Sequence, residues 1–269
     1  MSLTETRDEL IDSIQGNLSG LTLPIAMADI GDELAEAADR LGALGICNLL
    51  IYADTDRFYE NLVRSGHTRR YFLKKCRDEA DSTNWQLAIS RWDSFLDVLA
   101  TGNFALARDI STLSITQWMP GSEYEDDFCY RYFLHRFIMP PEPIRDLQLN
   151  EALDRWRRWL GVQASPRAQC CEALFQRDSV RFASSFDELL SMRQAQIVVE
   201  KKMPLAGDVG FVPRSEVFVE GLALLRLAER LGFELRDDYP MCPGIARLRP
   251  GKPFPDDMFP EIEAARGQS

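Results

Sequence analysis

The sequence predicts an all-α protein, an array of antiparallel helix pairs with about ten helices and little or no β-structure. Apolar residues recur with a period near 3.6 through most of the 269 residues, and alternating β-branched runs are few. Capping residues and prolines punctuate those periodic stretches at helix-sized intervals.

Taken in order, Thr6-x-x-Glu9 reads as a capping box for a first helix over 7–15. A long second helix follows Gly31, with Leu34, Ala37, Ala38, Leu41 and Leu44 on one face and a strongly acidic first turn. Asp54 or Asp56 caps a third through Phe58, Tyr59 and Leu62 to Gly66, and Arg69 to Lys75 then form a basic run that reads as a solvated face. Ser82 or Thr83 opens a helix through Trp85, Trp92, Leu96 and Leu99, Asn103 starts the next, and residues 122–138 form one rich in aromatics.

Pro140, Pro141 and Pro143 break the pattern, because proline removes a backbone donor and disfavours helical geometry in the residue before it. Beyond the break, Asn150 is expected to cap a helix striped by Leu153, Trp156 and Leu160. Ser165-Pro166 starts another, and Asp178 or Ser179 opens a long one towards Lys202. A loop with a short extended piece at 209–212 precedes a helix from Ser215 to Leu231, ended by Gly232. Six of the 14 prolines lie from Pro240 onward, so 240–269 is expected to be an irregular strap with a frayed end. The chain reads as a single helical domain, 1–269, divisible at the break into packed halves 1–139 and 144–269.

Composition narrows the function. Residues 1–60 hold 12 Asp/Glu against Arg7, Arg40 and Arg57, which places −9 of the total −11 in this segment. Such a field repels nucleic acid and anionic membranes and speeds encounter with a basic protein. No basic, apolar leader opens the sequence and no uninterrupted apolar run reaches membrane-spanning length, so the expected localisation is cytoplasmic. The six cysteines lack C-x-x-C spacing and read as reduced, buried thiols.

No catalytic residues, cofactor or metal ligands are predicted, and the expectation is a non-enzyme. Neither His67 nor His135 has an acidic residue three positions earlier, and phosphate-loop, dinucleotide, zinc-protease and serine-elbow motifs are absent. The strongest candidate site is Glu123, Tyr124, Glu125, Asp126 and Asp127 with Trp118 nearby. Asp126-Asp127 offers part of a magnesium-binding D-D-x-x-D pattern, but Tyr130 occupies the third carboxylate position. Ser122-x-x-Glu125 also reads as a capping box, and Asp127 as an i,i+4 partner of Arg131. Exposed acids beside aromatics read equally as a protein-binding patch. Asp29, Asp32, Glu33, Glu36 and Asp39 form a competing acidic patch.

Two stretches, TGNFALARDISTLSITQWMPGSEYEDDFCYRYFLHRFI and SEVFVEGLALLRLAERLGFELRDDYPMCPGIARL, resemble the bacterial immunity proteins of polymorphic toxin systems, in particular immunity protein family 49. The similarity covers roughly residues 85–250 and rests on a helix-loop pattern and on phrases such as Glu220-Gly221-Leu222-Ala223-Leu224-Leu225 and Asp238-Tyr239-Pro240. Helical immunity proteins that guard against type VI secretion DNase effectors are also similar. Either resemblance implies a protein that neutralises a cognate antibacterial toxin, a nuclease, by occluding its basic cleft, and carries over no catalytic residue. Two alternatives stay open: a helical enzyme, using magnesium at Asp126 and Asp127 or hydrolysing ADP-ribose, and a helical regulatory scaffold.

Overall fold

The computed structural model describes residues 2–19, 27–79, 84–163, 165–260 and 264. Helices account for 72% of the chain, in eleven segments with no strand among the described residues, so the all-α expectation holds. No helix among them is long and apolar enough to cross a membrane.

Helix α1 spans Leu3–Ser19 and starts four residues earlier than expected. Its capping box is Ser2-x-x-Glu5: Ser2 Oγ accepts from the Glu5 amide at 3.3 Å, and Glu5 Oε2 accepts from the Ser2 amide at 2.7 Å. Thr6 is buried inside the first turn instead of capping it. Helix α2, Met27–Tyr52, begins ahead of Gly31 and carries that glycine internally, where a Cβ would lie 3.1 Å from Phe72. After a two-residue turn, Asp54 caps α3 (Thr55–Asp78) by accepting from the Arg57 amide at 2.9 Å. The two helices therefore run antiparallel.

Helix α3 does not stop at Gly66, and its basic run is a solvated face only in part: Lys74 is exposed, but Arg69 is not. Arg69 is 3% exposed and donates to the carbonyls of Gln86, Leu87 and Ala88 at 2.6, 3.3 and 3.3 Å, with its guanidinium 4.8 Å from the Trp92 ring centroid. That capture explains why the expected helix through Trp85 breaks up. Carbonyls bonded to a guanidinium are not free for an α-helical ladder, and the segment forms a 3-10 turn at Trp85–Leu87 capped by Asn84. The proposed starters Ser82 and Thr83 lie outside the described residues. Helix α4 then covers Ser94–Thr101, and α5, Phe104–Leu113, starts at Asn103 as predicted.

Helix α6 runs Glu125–Phe137, and α7, Pro143–Leu160, takes Pro143 at its first position. The break is thus only a few residues long, and Asn150 is no cap: it lies inside α7 and donates to the Asp146 carbonyl at 2.9 Å. Ser165 caps α8 (Pro166–Gln176) and Asp178 caps α9 (Ser179–Glu200), both as expected. The piece at 209–212 is not extended. Residues Phe211–Glu216 form a short helix, α10, and α11 spans Val219–Arg230. Extended Val217 separates the two, and the Phe218 amide donates to the Met241 carbonyl at 2.8 Å rather than continuing one helix.

Gly232 ends this region in the left-handed conformation, φ 79°. The strap that follows is mostly irregular and is pinned along α3 by Phe259 stacked on Tyr71 at 4.2 Å and by the Arg70–Asp257 ion pair at 2.7 Å. One apolar core extends from Leu34 to Phe259 and crosses the proline break, with Trp156, Phe133 and Phe186 among its largest buried side chains. A smaller cluster of Leu10, Ala43, Cys47 and Val209 fastens α1 to α2.

Candidate functional site

The acidic cluster at the start of α6 is largely consumed by the fold. Glu123 accepts from the Ser90 amide and hydroxyl at 3.2 and 2.8 Å and from the Met119 amide at 3.1 Å, which ties the preceding turn together. Glu125 pairs with Arg155 of α7 at 2.7 Å, Asp126 accepts from Trp156 Nε1 at 3.1 Å, and Asp127 reaches Arg167 of α8 at 3.3 Å. Neither expected local arrangement forms. The α6 cap, Tyr124, makes no side-chain bond, so there is no Ser122/Glu125 capping box, and Arg131 pairs with Asp93 rather than Asp127.

Asp126 and Asp127 therefore address partners on different helices. Among the described residues, no group of three His, Cys, Asp or Glu side chains could hold a metal ion. Tyr124 is the outlier at 79% exposed, whereas Trp118 is partly buried, donates to the Glu123 carbonyl at 3.3 Å and packs under the Arg155 guanidinium.

The competing patch divides in two. Asp32 accepts from Gln86 Nε2 at 2.6 Å, Glu36 pairs with Arg40 at 3.2 Å, and Asp39 pairs with Arg214 at 2.8 Å. Glu33 is exposed and its carboxylate has no ion pair among the described residues. Asp29 sits in the first turn of α2, and its side chain lies outside the described residues.

A different site emerges where α2, α4, α6, α8, α9 and the α10–α11 corner meet. A cleft of about 190 Å³ lies against Asp93, Asp97, Arg131, Arg167, Arg193 and Glu220, and a smaller hollow of about 80 Å³ continues past Asp93 and Asp97 to Asp39. Arg214 borders both spaces. Asp93 stands just before the first turn of α4 without a capping bond, its side chain about half exposed, and Asp97 lies one turn further on, 1% exposed.

Their environments separate the two acids. Burial pushes Asp97 up to about 7, helped by the neighbouring charges of Asp93 and Asp39 and only partly countered by Arg214 and a 2.7 Å hydrogen bond from Ser65. Burial also raises Asp93, but Arg131 and Arg214 outweigh it and hold this carboxyl below the ordinary range. Arg167 grips Glu220 through two bonds of 2.7 Å, the fork geometry that guanidinium and carboxylate share. Beneath the cleft, burial and then Arg131 push His135 well below the usual imidazole range, so it packs neutral against Phe95 with ring centroids 3.6 Å apart.

Of the candidate site acids read from the sequence, Asp39 borders this region and Asp127 touches it through Arg167. The other residues of the cleft assemble from six helices, which no spacing along the chain encodes. One signal was local: Asp93 and Asp97 share a helix face inside the apolar stretch Trp92 to Ala100, where a carboxylate is out of place unless a cation meets it.

No protein-family model matches the chain, and neither a curated protein nor a solved structure does.

Proposed function

We propose that the chain is a cytoplasmic immunity protein that binds a cognate antibacterial toxin, a basic nuclease, and blocks its cleft. The supporting observation is where unpaired acid remains. Glu9 and Asp12 of α1 and Glu33 of α2 are exposed and have no ion pair among the described residues, whereas the carboxylates of 123–127 are occupied inside the protein. Asn17 Nδ2 donates to the Glu33 carbonyl at 3.2 Å and joins the end of α1 to the start of α2. Three of the twelve acids of the first 60 residues are thus available to a cationic partner, where like charge excludes nucleic acid and opposite charge accelerates docking. The resemblance of residues 85–250 to immunity proteins supplies the class of that partner.

Co-expression with the neighbouring open reading frame tests the reading. Protection of the cells and a stoichiometric, salt-sensitive complex are expected. Absence of any complex in low salt contradicts it. Combined reversal Glu9→Lys, Asp12→Lys and Glu33→Lys should slow association and weaken protection. Unchanged association after that reversal rejects the electrostatic part of the proposal.

A further inference from the structure

The cleft at the α4–α9 junction has a chemistry that holding the helices together does not explain. Arg131, 7% exposed, leaves Nη1 with no partner, Arg214 leaves Nε, and Asp97 leaves Oδ1, all three atoms buried and all three residues on the cleft wall. Buried polar atoms are paired in the great majority of cases, so three orphans around one space call for a cause. Each guanidinium is anchored by an acid: Arg131 by Asp93, Arg167 by Glu220, Arg193 by Glu200 at 3.0 Å and Arg214 by Asp39. A guanidinium carries five N–H donors and no acceptor, so this anchoring fixes the arginines in place while leaving donors over.

Leu189, Met192, Val217 and Val219 add an apolar part to the same lining. Four arginines line the space, each already paired with an acid, so selectivity for an anion rests on the donors left over and not on net charge. We propose that this cleft binds a small organic oxyanion, a carboxylate or phosphate with a short apolar body. The oxyanion takes the spare donors of Arg131 and Arg193, and the body lies along Met192 and Leu189. The cleft, at about 190 Å³, has room for a ligand of this kind.

Thermal unfolding and calorimetric titration of the full chain with inorganic phosphate and with butyrate, each against sodium chloride at equal ionic strength, test the assignment. Saturable binding of at least one anion at roughly millimolar strength is expected, with a rise in Tm that chloride does not reproduce. Removing Arg131 endangers the fold, so the variants are Arg193→Gln, whose side chain is partly open, and Met192→Glu, whose side chain is 43% exposed. Each should weaken the titration about tenfold or more without altering the circular dichroism spectrum. Binding only of butyrate, lost in Met192→Glu, assigns the apolar part of the lining to the ligand body. The proposal is overturned if neither anion exceeds the chloride control, or if binding is unchanged in both variants.

Discussion

Gly66 of α3 lies so close to Val98 of α4 that a Cβ at residue 66 would overlap Val98 Cγ2, and it would also stand 3.1 Å from Leu106 Cδ2. The crossing of the two helices depends on a missing side chain. Gly66→Ala should cost about 1–3 kcal/mol despite its better helix propensity, because a packed core pays for added volume with displaced side chains. Urea midpoints measure the loss, and Val98→Ala in the same chain should recover part of it. Strict additivity of the two substitutions would contradict the contact.

Asp97 gives stability a definite pH dependence. Its carboxyl is held up to about 7 in the folded protein against an ordinary value near 3.8, so the fold keeps a proton that the unfolded chain releases. This contribution is fully present below about pH 4 and disappears as pH rises towards and through 7. Asp97→Asn should remove it, with a neutral amide whose oxygen still accepts from Ser65. Relative to wild type, the variant should gain roughly 2–4 kcal/mol between pH 4 and 8, at about 1.4 kcal/mol per pKa unit. A constant difference across that range would show that Asp97 is ionised throughout.

Arg69 tests how strongly a buried cation organises the chain. Burial lowers its pKa to about 9, yet three carbonyls and the Trp92 face surround it. Arg69→Met fills the space but abandons the carbonyls of Gln86, Leu87 and Ala88, and should destabilise by about 3 kcal/mol. A change in tryptophan emission should accompany the loss through Trp92. Arg69→Lys should rescue little, since one ammonium cannot span the carbonyls as a planar fork does.

Glu125 separates folding from binding. Glu125→Ala breaks the 2.7 Å pair with Arg155 and should cost about 0.5–1 kcal/mol in thermal unfolding, because the pair is only partly buried. Partner association should be unaffected, in contrast to Glu9→Lys with Asp12→Lys.

The thiols offer a probe of global opening. All six cysteines are free and buried, and burial pushes Cys47 up to about 11 and Cys129 and Cys242 up to about 12. A disulfide reagent at pH 8 should therefore modify none rapidly, with rates that follow unfolding as urea is added. A fast native thiol would contradict this burial.

Helix identity was legible where local chemistry decides it. Asp54, Asn103, Ser165-Pro166 and Asp178 each mark a real helix start, because a side chain two or three residues from an orphan amide needs no distant partner. Boundaries failed where a distant group competed: Arg69 dissolved the helix at Trp85, and Arg155 took Glu125 from its expected cap. The candidate acids at 123–127 were visible as charge, but their pairing on α7 and α8 was not.

By itself the sequence determined an all-α chain, four of its eleven described helix starts and a negative charge gathered in the first 60 residues, since periodicity, capping and charge are properties of near neighbours. Only the tertiary structure decided which acids stay free and that Asp93, Asp97 and four arginines share one cleft. Coulomb and hydrogen-bond energies depend on distances across helices, and those distances exist only after the core has packed.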